Sequence, residues 1–283
     1  MLNGCAYILT VDVGNTFIRF GLFAEDSAAA QERPLATCEI TTPSSITADE
    51  ARMRLVQVMA ALAADAGMPG ALVPAAAVLS CVVPALERPW KAALSRTCTG
   101  RVLTVGPGLK TGMPVHYDDP AEIGPDRIAD AVAARAVYGS PCIVIDLGTT
   151  TNIEVIDAHG TFVGGVIAPG LALGARSLSA AAARLPQVEP SAPTHVIGHN
   201  TREAMRSGVV LGEVARIDGM LDMVLAEMRA TKAAGEGDVP IVITGDDAEA
   251  LAALVGHSLT VDDALTLRGL AELYRTNQKP RRA

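Results

Sequence analysis

Hydrophobic and polar positions alternate most plainly near the start of the chain. Residues 7–13 (YILTVDV) form a β-branched run that ends beside an aspartate. Residues 17–23 (FIRFGLF) set Ile18, Phe20 and Leu22 against Arg19 and Gly21. Only Gly14-Asn15-Thr16 separates the two runs, which predicts a β-hairpin. Residues 49–66 are rich in Ala, Leu and Met, with Met53, Val56, Met59 and Leu62 at helical spacing. That predicts a helix with Met53 and Met59 in the core. A strand follows over 76–83, the start of a helix over 89–95 and a strand over 101–105. The first third thus alternates strands and helices.

Residues 106–124 hold four glycines and three prolines and read as a linker or a functional loop. A helix is predicted over 127–138 and a buried strand over 142–147 (CIVIDL). That strand again ends in Asp-x-Gly. A strand over 161–167, a helix over 171–183 and a loop over 185–200 come next. A helical stretch over 201–230, broken near Gly208, leads to a strand over 240–244. Helices over 248–254 and 264–274 complete the pattern, and the polar, basic tail from Thr276 reads as frayed.

The second Asp-x-Gly makes an internal repeat. Residues 12–23 read DVGNTFIRFGLF and residues 146–157 read DLGTTTNIEVID. Asp146 follows Asp12 by 134 positions, near half the length, and Thr16 and Thr150 each stand four places after the aspartate. Both segments read as strand, polar turn, strand. The repeat predicts two related α/β domains, 1–115 and 116–283, with the last helix able to pack across the boundary. It also predicts that Asp12 and Asp146 face one cleft.

Composition narrows the function. The chain has 283 residues, 49% apolar and 3% aromatic, so Ala, Val, Leu and Ile must fill the core. With 23 basic and 31 acidic residues, the net charge of −8 argues against a nucleic-acid binder. The five cysteines, at 5, 38, 81, 98 and 142, form no CxxC pair and suit a reducing cytoplasm. Met1-Leu2-Asn3-Gly4 lacks the basic stretch that opens a signal peptide, so none is expected there. The longest uncharged run, 67–86, contains three prolines and two glycines and reads as a loop entering a strand, not a membrane helix.

Two Asp-x-Gly turns at strand ends make chemical sense together. Glycine lets backbone approach a phosphate. Turn N–H groups and Thr or Asn side chains donate to phosphate oxygens. The aspartates suit a hard Mg²⁺ ion. A third turn, Gly245-Asp246, could approach a nucleoside. Residues 117–130 (YDDPAEIGPDRIAD) are acidic and precede a helix. Asp126 there could take a hydroxyl proton during phosphoryl transfer, and Arg127 could orient an anionic substrate. Asp126 also reads as the N-cap of the helix beginning at Arg127. His195 and His199, four apart, lack a partner acid for a metal site. Lys110 and His116 read as loop residues, Asn152 as a turn residue, and Gly164-Gly165 with Ala168-Pro169-Gly170 as a strand bend or close packing.

In order along the chain stand Asp12-Val-Gly-Asn-Thr16, Leu79-Ser-Cys-Val-Val-Pro84, Gly108-Leu-Lys-Thr-Gly112, Tyr117-Asp-Asp-Pro120, Gly124-Pro-Asp-Arg127, Asp146-Leu-Gly-Thr149, Gly164-Gly-Val-Ile-Ala-Pro-Gly170, Leu185-Pro186, Ile197-Gly-His-Asn-Thr201 and Thr244-Gly245. This set, spanning about residues 7–270, resembles type III pantothenate kinases. The resemblance implies two ribonuclease-H-like domains of the actin-like ATPase and sugar-kinase superfamily, with a nucleotide in the cleft. It implies phosphorylation of pantothenate by ATP, with Mg²⁺ and a monovalent cation (K⁺ or NH₄⁺), in a cytoplasmic homodimer. By motif, Asp126 is the general base, and Tyr117, Gly124, Arg127 and Ala182 stand at pantothenate positions. Asp12, Gly14, Asn15, Thr16, Arg19, Gly148, Thr149, Thr150 and Gly245 stand at nucleotide positions, and Asp12 and Asp146 at cation positions. The chain departs from the family at Pro125, Asp119, Asp130, Asn152, Asp246 and Ala182, where Thr is common at the last. A nucleotide-binding regulator without catalysis and a phosphohydrolase of the same superfamily are the alternatives. In a dimer, the Ala-rich helix after Asp126 and the 171–183 region are the expected contact surfaces.

Overall fold

The computed structural model describes residues 6–26 and 31–278. Cys5, the residues before it and the last five of the tail lie outside the described residues. The contacts divide the chain into one unit of Met1–Val137 with Ala264–Ala283 and another of Tyr138–Asp263. The division falls after Val137 rather than after residue 115. The Gly/Pro-rich stretch 106–124 is therefore no linker but part of the first unit.

In the first unit, β1 (Tyr7–Val13) pairs antiparallel with β2 (Phe17–Ala24), as the alternation predicts. β2 pairs antiparallel with β3 (Ala36–Thr41), a strand the sequence reading passed over. On its other side β1 pairs parallel with β4 (Ala76–Cys81), and β4 with β5 (Val102–Thr104). Central β1 is buried from Ile8 to Val13, the near-continuous apolar run expected of a strand covered on both faces. One face packs Leu9, Val11, Ile18 and Phe20 against α1 (Ala48–Asp65) and α2 (Pro84–Thr97). The Phe20 and Trp90 rings lie 5.6 Å apart there. On the other face Phe23 meets Leu267 and Ala271 of α8 (Leu265–Thr276).

Local chemistry sets the helix ends. Thr47 and Glu50 form a capping box at the start of α1. Helix α2 starts at Pro84, before the expected start at residue 89, because proline serves well in a first turn. The α1 stripe runs through Ala51, Leu55, Val58, Met59 and Leu62. Met53 is 64% exposed and Val56 54%. A strict three-residue spacing drifts about 60° per step around a helix, so Met53 leaves the core face that Met59 occupies. The tail also departs from expectation. Asn277 donates to the Lys110 carbonyl at 2.7 Å and accepts from its N–H at 3.2 Å.

The second unit repeats the first. β6 (Cys142–Leu147) pairs antiparallel with β7 (Thr150–Ile156), and β7 with β8 (Phe162–Pro169). β6 also pairs parallel with β9 (Ile241–Gly245), and β9 with β10 (Thr260–Val261). The order β3-β2-β1-β4-β5 thus recurs as β8-β7-β6-β9-β10. α4 (Leu171–Ala181), α5 (Thr201–Arg206), α6 (Gly212–Ala230) and α7 (Ala248–Ala252) complete this unit. The break expected near Gly208 is a π-helical turn over Ser207–Leu211. One strand order used twice makes the two units related, as the repeat predicts, in the ribonuclease-H-like plan that the resemblance implies.

Candidate active site

In the first unit the acid at the end of β1 is Asp12. It pairs across β2 with Arg19 and across β4 with Ser80. Asp12 is 7% exposed, and its Oδ1 has no hydrogen-bond partner among the described residues. Burial and the negative charge of Asp126 push its carboxyl up to about 6, against the Ser80 hydroxyl and the Arg19 cation, which pull it down. Arg19 is itself held by Glu39, Nε to Oε2 at 3.0 Å.

The turn after Asp12 is tied from both sides. The Gly14 N–H donates to the Phe17 carbonyl at 3.0 Å. Thr42, just past β3, donates its hydroxyl to the Gly14 carbonyl at 2.8 Å and its N–H to the Thr16 carbonyl at 2.9 Å. Asn15 and Thr16 stand exposed at the tip. A fixed turn with exposed polar residues at its tip is suited to phosphate oxygens.

Asp126 lies in the first turn of α3 (Pro125–Tyr138). Helix α3 begins one residue before Asp126, so Asp126 is not its N-cap. Its Oδ1 accepts the Arg127 N–H at 2.8 Å. Burial raises its carboxyl, while that N–H, its own N–H and the Arg127 guanidinium act the other way. Gly124 explains how the carboxylate folds back: a Cβ there would run into Asp126 Oδ1. Arg127 is buried and Tyr117 half-buried in the same unit. Beside them the 106–124 stretch borders a mainly apolar cavity of about 530 Å³, lined by Cys81, Leu109, Met113, Ile123, Pro125 and Ile128 among others.

In the second unit Asp146 is half-buried on β6, across from Asn152 on β7 and Thr244 on β9. These repeat Arg19 and Ser80 around Asp12. Val13 pairs with Ile18 but Leu147 with Thr151, so the second turn is one residue shorter. Read from β6, Thr150 matches Thr16; read back from β7, Thr149 does. Asn152 is a buried strand residue, not a turn residue. The Gly148 N–H donates to the Thr150 carbonyl at 3.0 Å, and the Gly170 N–H to the Thr149 carbonyl at 3.1 Å. Gly245 has φ +92°, and a Cβ on it would meet the Leu147 backbone. It closes the end of β9 against β6. Ala182, half-buried, caps α4 with its N–H on the Leu178 carbonyl.

Other candidates separate from these sites. His195 and His199 are exposed. No group of three His, Cys, Asp or Glu side chains among the described residues could hold a metal. Residues 127–134 of α3 are buried within the chain and offer no face to a second copy, contrary to the expected contact surface. Sequence reasoning missed Ser80. The signal was its place in the repeat, a small hydroxyl matched by Thr244.

Over residues 8–223 the chain matches the type III pantothenate kinase family. It is 38% identical over 275 residues to the type III pantothenate kinase of Koribacter versatilis, with 96% of each chain covered. It is 40% identical over 285 residues to that of Nocardia farcinica, covering 97% of this chain and 99% of the relative. Among solved structures it resembles ROK hexokinase from Thermus thermophilus, with a TM-score of 0.50, 14% identity and 96% and 100% of the two chains covered. At that identity the likeness bears on the fold alone.

Proposed function

The chain belongs to the type III pantothenate kinase family, and on that premise we propose that it moves the γ-phosphoryl group of ATP to the primary hydroxyl of pantothenate with Asp126 as general base. The product is 4′-phosphopantothenate, at the entry to coenzyme A synthesis. The observation that carries the assignment of roles is that one unit holds a buried acid, Asp12, and a half-buried one, Asp126, whose negative charge helps raise the Asp12 carboxyl. One sits at a strand end beside a phosphate-type turn. The other sits at a helix start beside a buried arginine.

As the hydroxyl oxygen bonds to the γ-phosphorus, its proton passes to the Asp126 carboxylate. The bond from that phosphorus to the β-phosphate oxygen breaks, and ADP leaves. Burial makes Asp126 a stronger base than an exposed aspartate, while the Arg127 N–H keeps it aimed and ionisable. Tyr117, the backbone at Gly124 and the Arg127 guanidinium are assigned to pantothenate. Ala182 is assigned there too, offering a methyl where relatives commonly offer a hydroxyl. Gly14, Asn15, Thr16 and Arg19, and Gly148, Thr149, Thr150 and Gly245, are assigned to the nucleotide.

The residues present fit a divalent cation. A buried carboxylate with one unpartnered oxygen is only partly compensated by Ser80 and Arg19, and Mg²⁺ typically takes one or two carboxylates and completes its shell with water and phosphate. Asp12 would hold it. When bound, Mg²⁺ neutralises charge on the transferring phosphate. Asp146, with Thr244 beside it, offers the oxygen donors a monovalent cation takes. Four described cysteines are free thiols, which supports a cytoplasmic setting. Among the described residues no helix is long and apolar enough to cross a membrane. We assign a homodimer, with α4 rather than α3 toward the second copy.

The test is ADP release with and without pantothenate. Stimulation by pantothenate supports the kinase. Equal rates would point to a phosphohydrolase, and nucleotide binding without turnover to a regulator.

A further inference from the structure

We propose that Glu213 is a positioning residue that braces the second phosphate turn through Thr151 and Arg216. The inference rests on the reading of residues 148–150 as a nucleotide-phosphate turn.

Glu213 lies in the first turn of α6, directly after the π-helical turn Ser207–Leu211. Such insertions shift the face that the following residues present and often mark functional positions. Here the carboxylate is buried. Its Oε1 accepts the Thr151 hydroxyl at 2.6 Å, in a buried contact. Its Oε2 is paired with Arg216 Nη2. The same Arg216 nitrogen donates to the Pro169 carbonyl.

Both ends of this chain of bonds reach the turn. Thr151 follows Thr150 on β7. Pro169, at the end of β8, pairs with Thr150. The next residue, Gly170, donates to the Thr149 carbonyl at 3.1 Å. A Cβ on Gly170 would collide with the Gly148 and Thr149 carbonyls, so this backbone rests directly on the turn. One carboxylate therefore grips the strand leaving the turn and the strand end lying behind it. A buried charge is costly unless paired on all sides, so filling space would not by itself call for a glutamate here. Its partners explain it: a hydroxyl on one strand and, through arginine, a carbonyl on the other.

The test is steady-state kinetics on the full chain. Glu213→Gln keeps an acceptor for Thr151 but removes the charge that holds Arg216. Thr151→Val keeps the shape of β7 but removes the hydroxyl. Both should raise KM for ATP about 10-fold, the order expected when one well-placed hydrogen bond to the nucleotide is lost, while KM for pantothenate stays unchanged. A merely structural role would lower the melting temperature and leave the two KM values in their wild-type ratio. Thr149→Ala serves as the control on the turn itself. If it raises KM for ATP while Glu213→Gln and Thr151→Val do not, the positioning role is wrong and the nucleotide reading survives. If Thr149→Ala leaves KM for ATP unchanged, the nucleotide reading fails and the bracing role fails with it. Should Glu213→Gln not fold, Thr151→Val decides.

Discussion

Replacing Asp12 by Asn should shift the stability of the ligand-free protein in the variant's favour as pH rises, while removing its use of ATP. Asp12 is almost fully buried, its Oδ1 lacks a partner among the described residues, and its carboxyl rises from 3.8 to about 6. A carboxyl raised by folding favours the protonated form. Its contribution to stability is complete below about pH 3.8 and is lost as pH climbs through about 6. A rise of that size corresponds to about 3 kcal/mol. Asn has nearly the same shape and no charge, and its amide can donate to the Ser80 oxygen. Any fixed cost of the amide is the same at every pH. The stability difference between variant and wild type should therefore move by about 3 kcal/mol in favour of the variant from pH 3.5 to pH 8. In thermal melts that is on the order of 5 °C or more. Added Mg²⁺ with ATP should raise the melting temperature of wild type at pH 8 and leave the variant where it was. Melting temperatures of the two proteins that run parallel from pH 3.5 to pH 8 would refute the idea that burial of Asp12 penalises its charged form.

Four further outcomes are expected. Asp126→Asn should lower kcat by about 10²–10⁴-fold, since Asn accepts the Arg127 N–H but takes no proton, with the melting temperature little changed. Activity within a few-fold of wild type would send the search for the base to Asp12, Asp118, Asp119 and Asp146. Gly124→Ala should also lower kcat at nearly unchanged stability, because its Cβ would displace only the Asp126 carboxylate, a movable side-chain end. Met53→Lys should alter stability by no more than about 0.5 kcal/mol in a denaturant titration, as befits an exposed helix position. Sedimentation across the micromolar range should show a dimer, and a monomer throughout would count against the assembly assigned above.

What was legible in the sequence follows from the range of the forces involved. The hairpins were readable because alternation is set by neighbours two residues apart, and in both the first strand runs into the same Asp-x-Gly turn. The phase of α1 was misjudged because Met53, Val56, Met59 and Leu62 fit a spacing of three better than the true turn of the helix. Strand β3 alternates Ala36, Cys38 and Ile40 against Thr37, Glu39 and Thr41, yet so short an edge strand carries weak apolar contrast. The boundary near 115 failed for a tertiary reason. Glycine and proline mark a linker and a folded loop alike. Only distant partners tell them apart: Arg135 on the Gly112 carbonyl and Asn277 on Lys110. Glu213 was hidden for the same reason, since Thr151 lies 62 positions away.

The repeat was read from its shared letters, but its chemistry lies in the letters that differ. Both units set an aspartate at the end of the central strand, with a hydroxyl residue beside it on the parallel neighbour, Ser80 or Thr244. Across the hairpin the two diverge. Asp12 faces a permanent cation, Arg19, whereas Asp146 faces the neutral amide of Asn152. The first turn has one more residue and is held by Thr42, leaving Asn15 and Thr16 exposed. The second is shorter and rests on Gly170. Two copies of one scaffold can thus carry unequal duties. In the function proposed above, the first aspartate, the more deeply buried, is the one assigned the divalent cation. The second, half-buried beside a shortened turn, is the one assigned the monovalent ion.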